Sequence, residues 1–189
     1  MSETGSTEVS PGEVAVETER LLLRRITDAD HHALYEFYRN PNVQRFLGVL
    51  LPFDEYMATV PARWEKHYRE HGFGLWTAVR REDGRVIGRV GPIVQEVEGE
   101  RHVEVGYTLG EEFWGRGYAL EAARASRDWV FRNLDVPHVI SLINPLNTRS
   151  IHVAQRNGMS FWRMAFWREQ PIDVHRITRA EWEHATAEG

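Results

Sequence analysis

Apolar positions alternate with polar ones along some stretches of this chain and recur every third or fourth position along others, and these two periods divide it into strands and helices. Arg20-Leu-Leu-Leu-Arg-Arg25 is a short apolar run flanked by charge and predicts a first strand. Thr27, three residues before Asp30, opens a helix in the manner of a capping box; it runs to about Arg39, where Asn40-Pro-Asn42 stops it. A second helical region spans Asp54 to His71. Pro61 is expected to divide it, because proline lacks the N–H that a helix interior uses, and Gly72 suits its C-terminal end. Leu75–Arg80 and Arg85–Pro92 read as strands joined by a hairpin turn at Glu82-Asp83-Gly84. In His102–Leu109, Val103, Val105, Tyr107 and Leu109 share one face and Glu104, Gly106 and Thr108 the other, which predicts a strand.

Leu120–Asn133 carries a helical stripe at Leu120, Ala123, Trp129 and Val130. A β-branched run, Val139–Ile143, is followed by Asn144-Pro-Leu-Asn147 and a short helix, Ser150–Asn157, that Gly158 ends. Met159–Arg168 and Asp173–Thr178 predict two further strands, and Thr178 with Glu181 forms a capping box for a terminal helix. The order β-αα-βββ-α-β-α-ββ-α is a mixed α/β (α+β) pattern rather than a strict βαβ alternation.

Composition narrows the chemistry. The 189 residues fit one domain and contain no cysteine, which removes thiol catalysis, thiolate zinc sites and disulfides and suits a cytoplasmic location. No signal-like segment or apolar run of about 18 residues is present, so membrane spanning is not expected. All five charged residues of positions 1–19 are glutamates, which leaves 23 acidic and 23 basic residues in 20–189. Residues 1–17 are therefore expected to form a disordered acidic tail and 18–189 a single domain. A neutral body argues against nucleic acid as a partner.

Gly115-Arg-Gly-Tyr-Ala119 stands between a strand and a long helix. Backbone N–H groups at a helix N-terminus bind phosphate oxygens, since the orphan donors and the helix dipole both favour an anion. Gly117 and Ala119 lack bulk and Arg116 adds a cation. The run does not fit the dinucleotide fingerprint, which needs a small residue where Leu120 stands, nor a phosphate loop ending in Gly-Lys-Ser/Thr.

Trp114-Gly-Arg-Gly-Tyr-Ala-Leu-Glu-Ala122 resembles the acetyl-CoA pyrophosphate loop of the GNAT superfamily of N-acetyltransferases, most closely the branch of ribosomal-protein alanine N-terminal acetyltransferases of the Rim type. Val103–Leu109 resembles that family's central fourth strand, Asn147-Thr-Arg-Ser150 and Arg156-Asn-Gly-Met159 its next helix and turn, and Thr18–Arg24 its opening strand. The resemblance covers about residues 18–180. It implies a mostly antiparallel sheet of about seven strands flanked by helices, with the fourth (His102–Leu109) and fifth (His138–Ile143) splayed apart to admit pantetheine. It further implies acetyl-CoA as cosubstrate, bound by Tyr107, Thr108, Leu109, Trp114, Gly115, Arg116, Gly117, Tyr118, Ala119, Asn147 and Ser150, and no metal. The acceptor stays open among a protein N-terminus, a peptide and a small amine such as an antibiotic. A homodimer would be unsurprising for the family.

Two positions depart from the family. Trp114 stands where the loop often begins with Gln or Arg, as the Rim-type branch tolerates. Ala154 stands where many members place the tyrosine that protonates the departing thiolate, which leaves Ser150 as the resemblance-based acid. The base is expected at Glu104. A carboxylate within an apolar strand has its pKa raised by desolvation, and the family places a base-like Glu on this strand. Backbone N–H groups around Tyr107–Leu109 would hold the thioester oxygen. Trp76 and Trp129 read as core, while Trp162 and Trp167 sit where the family's last hairpin lines the acceptor site. Two rivals remain. His67-Tyr-Arg-Glu-His71 matches the inverted zinc-hydrolase motif, with Glu70 between its histidines, and a non-catalytic module could bind CoA without turnover.

Overall fold

The computed structural model describes residues 12–187 and adds one strand in front of the expected order. The strands are β1 (Val14–Glu17), β2 (Leu21–Arg25), β3 (Trp76–Arg80), β4 (Val86–Val97), β5 (Glu100–Leu109), β6 (His138–Ile143), β7 (Ser160–Trp167) and β8 (Gln170–Thr178). The helices are α1 (Asp28–Arg39), α2 (Pro41–Gln44), α3 (Phe53–His71), α4 (Tyr118–Asn133), α5 (Thr148–Arg156) and α6 (Arg179–Ala187). All eight strands join one sheet in the order β1-β2-β3-β4-β5-β6-β8-β7, and only the β5–β6 pair is parallel. The expected mixed α/β architecture is present, with eight strands instead of seven.

Strand β1 corrects the assignment of residues 1–17 to a disordered tail. Val14–Glu17 pairs antiparallel with β2 and gives that strand a partner on its outer edge. Its glutamates flank two half-buried apolar residues, Ala15 and Val16, which pack against the core. Residues 1–11 lie outside the described residues. Pro61 does not divide the second helix: α3 is continuous over 19 residues with the proline inside it. Tyr56 and Val60 before the proline pack against α1 and Tyr68 after it is buried against Arg25, so packing outweighs the one missing backbone bond.

The β4–β5 hairpin extends further than its apolar pattern suggested. Val97 pairs with Glu100 across a two-residue turn, Glu98-Gly99, in which both residues have positive φ (52° and 84°). That backbone matches the twist of a tight hairpin. At the other end of β4, Gly88 lies so close to β5 that a Cβ there would sit 2.2 Å from the Thr108 carbonyl oxygen. Only glycine permits this approach, which fixes the far end of β5.

Helix α4 lies on the sheet through Ala122, Ala123, Val130 and Phe131, all at most 3% exposed. The two alanines let helix and strands approach closely. A separate cluster joins α1 to α3 through Leu34, Tyr35 and Tyr38 against Tyr56 and Val60. Asp30 ties this layer to the sheet: its buried carboxylate accepts two bonds from Arg24 (2.6 and 2.7 Å), one from the Thr27 N–H (2.8 Å) and one from Thr77 Oγ1 (3.0 Å). Thr178 and Glu181 form the expected reciprocal cap before α6, with bonds of 2.7 and 3.2 Å.

Candidate active site

The parallel pair at the centre of the sheet is held by a single ladder position, Glu104 opposite Ile140, beyond which β5 and β6 part. Ser141 Oγ donates to the Val105 carbonyl across the start of the gap (2.8 Å). Main-chain groups alternate sides along a strand, so those of Tyr107 and Leu109 face the gap as Val105 does, while those of Thr108 face β4. The Leu109 carbonyl accepts from the Trp114 indole N–H (2.9 Å). The N–H groups of Tyr107 and Leu109 therefore line an opening in the sheet.

A cleft of about 920 Å³ lies on one side of the opening. Its floor is Tyr107, Thr108 and Leu109; Trp114, Gly115, Gly117, Tyr118 and Ala119 form one wall, and Asn147, Arg149 and Ser150 another. Gly117 caps α4 with φ of 82°, a left-handed conformation that suits glycine. Among the described residues no acceptor meets the backbone N–H groups of Gly115 through Leu120. Six consecutive free donors at the start of a 16-residue helix make a cradle for anionic oxygens, and a diphosphate fits their chemistry. The expected cation of this loop is misplaced, however. The Arg116 side chain is exposed and outside the cleft, and its carbonyl accepts from Arg20 (2.9 Å). The guanidiniums that line the cleft are Arg45, after α2, and Arg149, stacked 4.6 Å over the Trp114 ring.

A second cleft, of about 500 Å³, adjoins it and shares Phe46, Leu47, Tyr107, Thr108, Asn147 and Ser150 with the first. Glu104 lines it and is 7% exposed. Burial pushes the Glu104 carboxyl up to about 7, against smaller opposing effects of bonds from the Leu142 N–H (3.2 Å) and Gln95 and of the Arg168 charge. Burial and the neighbouring Glu104 also raise the Tyr107 phenol well above its ordinary value. That hydroxyl stays protonated and donates to the Ser150 carbonyl (2.8 Å).

Ser150 is the third residue of α5 rather than its first. Asn147 is the N-cap, and its side chain accepts from the Ser150 N–H (3.2 Å). The Ser150 side chain lies beside the Tyr107 hydroxyl at the junction of the clefts, and hydrogen bonding between the two opposes part of the rise of the phenol. Trp76 is buried core and Trp129 packs against it, as expected. Trp167 lines the second cleft, but Trp162 packs instead against His102, His138 and Arg176, outside it.

His67, Glu70 and His71 do not assemble as metal ligands. His67 Nε2 accepts from the Val94 N–H (3.4 Å), burial pushes its pKa down to about 4, and Glu70 pairs with Lys66 (3.6 Å). Among the described residues no group of three His, Asp or Glu side chains is arranged to hold a metal. Several features of the site are not evident from the local sequence pattern. Arg149 lies inside the segment Asn147–Ser150 and was within reach of sequence reasoning. The hydroxyl of Tyr107, and Arg45, Arg63 and Arg89, depend on contacts between distant segments and had no local signal.

The chain belongs to the acetyltransferase (GNAT) domain family, which matches residues 20–160. It is an acyl-CoA-dependent N-acetyltransferase, carrying acetyl from acetyl-CoA to an amine. It is similar to the protein YkkB of Bacillus subtilis, 31% identical over 160 residues that span 84% of this chain and 92% of that protein. A crystal structure of an acetyltransferase from Agrobacterium tumefaciens superposes with a TM-score of 0.73 at 31% identity, covering 86% of this chain and 92% of that one. The [ribosomal protein uS5]-alanine N-acetyltransferase of Escherichia coli is 24% identical over 152 residues, 77% of each chain. Among the described residues no helix is long and apolar enough to cross a membrane.

Proposed function

We propose that acetyl passes directly from acetyl-CoA to a primary amine while both are bound, with Glu104 as the base. The observation that carries this is the junction: the two clefts share Phe46, Leu47, Tyr107, Thr108, Asn147 and Ser150, and the buried carboxylate of Glu104 lines the second cleft alone. The diphosphate of acetyl-CoA takes the free N–H groups of Gly115–Leu120, with Trp114, Arg149 and Asn147 beside it. Pantetheine enters the gap between β5 and β6, where it can pair with the main chain of Tyr107 and Leu109.

The amine nitrogen, approaching from the second cleft, attacks the thioester carbon. As the C–N bond forms, the carbonyl oxygen gains negative charge, which gap-facing N–H groups of β5 stabilise. Glu104 takes the proton the nitrogen loses, directly or through a water; its raised pKa suits a base at neutral pH. The C–S bond then breaks and the thiolate needs a proton. Ser150 Oγ is the donor we assign. The Tyr107 hydroxyl is the second reading, favoured by its position at the same junction. The acceptor is an amine of a protein N-terminus, peptide or small molecule, and the setting is the cytoplasm, which the absence of cysteine suits.

The test is a screen of amine classes with acetyl-CoA, reading thiol release and the acetylated product. Turnover of one class with saturation in both substrates supports the reading. Tight acetyl-CoA binding with no thiol release for any class would instead leave a binding module.

A further inference from the structure

The second cleft has an electrostatic character that amine transfer does not require. Three arginines line it: Arg63 from α3, Arg89 from β4 and Arg168 from the turn between β7 and β8. Among the described residues none of the three makes an ion pair or a side-chain hydrogen bond. Each instead rests on aromatic rings. The Arg89 guanidinium lies 5.1 Å from the ring centres of both Tyr38 and Trp64, that of Arg63 lies 5.9 Å from the same Trp64 ring, and that of Arg168 lies 4.2 Å from Trp167. Burial pushes the Arg63 pKa down, and the charges of Arg89 and Arg168 push it down further. The cleft's two carboxylates do not neutralise the cluster: Glu70 pairs with Lys66, and Glu104 is buried and meets the charge of Arg168 alone.

Unused donors gather at the same place. Arg89 Nε, Trp64 Nε1 and Tyr38 Oη are all buried with no hydrogen-bond partner. A buried polar group without a partner costs free energy, and Arg89 Nε together with two such groups on the rings it stacks against calls for an acceptor that the protein does not itself supply. Like charges placed close together without a counter-ion are costly in the same way. The planar fork of arginine matches the two oxygens of a carboxylate, and its aromatic stacking pre-sets the geometry.

From this, and resting on the proposed acetyl transfer, we propose that the acceptor is an amine that also bears a carboxylate, which Arg63, Arg89 and Arg168 bind while the amine reaches Glu104. The carboxylate comes from a free amino acid or from an acidic side chain near a peptide N-terminus; both present the same chemistry. A polycationic amine, such as an aminoglycoside or polyamine, meets three unneutralised guanidiniums and is rejected.

The experiment compares acceptors matched in shape and differing in charge. One arm uses ω-amino carboxylates of increasing length and their amides. The other uses alanyl peptides with glutamate or glutamine in second place, and spermidine is the polycation. In at least one arm kcat/KM for the carboxylate should exceed that for its amide by on the order of ten- to a hundredfold, the range of a hydrogen bond to a charged group. Arg89→Gln should bring that ratio close to one, with the dissociation constant of acetyl-CoA unchanged. Arg168→Gln, on an exposed turn, should lower the ratio too and guards against misfolding of the Arg89 variant. Binding of the N-acetylated products, read from tryptophan fluorescence, measures the same preference without turnover. Carboxylate-selective binding in the absence of any acetyl transfer would sink the enzymatic mechanism and keep this inference. Equal binding and turnover of acid and amide, best turnover of spermidine, or a ratio untouched by both variants would overturn it.

Discussion

Glu104→Gln tests the base by two independent routes, because the burial that tunes the carboxyl also costs stability. The carboxyl is pushed from its ordinary 4.5 up to about 7, which corresponds to about 3 kcal/mol between its two protonation states. The folded pKa lies above the unfolded one, so between pH 4.5 and 7 the native state binds more protons than the unfolded chain. Native stability therefore falls through that window as pH rises, and the full penalty is present above about 7. Glutamine keeps the shape, and its carbonyl can still accept from the Leu142 N–H. Thermal or urea unfolding should show the variant more stable than the wild type at pH 8, by up to about 3 kcal/mol, and nearly equal to it at pH 4.

Activity should move the opposite way. An α-amino acceptor titrates near pH 8, so wild-type kcat/KM should rise with a limiting slope of two below pH 7, where carboxylate and amine must both lose a proton. The slope should be one between the two pKa values and zero above them. The variant should lose the limb near pH 7, turn over about 10²–10⁴-fold more slowly at neutral pH, and recover in part at high pH, where free amine is plentiful. Its acetyl-CoA affinity should hardly change. The groups facing the carboxyl are Gln95, the Leu142 N–H, Arg168 and the Tyr107 phenol, of which Arg168 alone carries a charge at neutral pH. Arg168→Gln should therefore move the limb to higher pH. A variant with full activity and the wild-type pH profile would make Glu104 structural. A stability gain without any loss of turnover would separate the two effects and refute the base alone.

Much of this could be read in the sequence because it is local. The alternation of β5, the stripe of α4 and the glycine turn before it are each set by neighbours within a few residues. Glu104 stood out as an acidic residue in an apolar strand, and its burial follows from that setting. What could not be read depends on contacts between segments far apart in sequence. Strand β1 has two inward apolar residues among glutamates, too few for a pattern, and it exists because the outer edge of β2 is free to pair. Arg116 carries the expected charge, but the left-handed turn at Gly117 and the bond to Arg20 leave it outside the cleft, where Arg149 lines the wall.

The arginine cluster is the clearest case of this kind. Its members come from α3, β4 and the last hairpin, at positions 63, 89 and 168, and each alone reads as an ordinary surface charge. The zinc-like pattern His67–His71 shows the reverse: a local motif with the right spacing that tertiary packing uses otherwise, since His67 turns its ring nitrogen to the β4 backbone.

Three further outcomes are expected. Gly117→Val forces a β-branched residue into a left-handed backbone at φ 82° and disturbs the cradle, so the acetyl-CoA dissociation constant should rise at least about tenfold by calorimetry; unchanged binding would remove the loop from the site. Asp30→Asn breaks the buried network to Arg24 and should cost about 3 kcal/mol at pH 7 by urea unfolding. Burial raises the Asp30 pKa but its bonds outweigh this and hold it below 3.8, so that contribution is present above pH 3.8 and lost as pH falls further; a variant as stable as the wild type at pH 7 would refute it. The last outcome concerns the proton for the leaving sulfur. Ser150→Ala should lower kcat by about one to three decades if Ser150 Oγ supplies it, while Tyr107→Phe, which keeps the ring, should act mainly through the lost bond to the Ser150 carbonyl. A loss of kcat confined to Tyr107→Phe would transfer the role to the phenol, which carries its proton at neutral pH. A change confined to the KM for acetyl-CoA would leave Ser150 a binding residue, because a group that acts only in the ground state does not alter the chemical step.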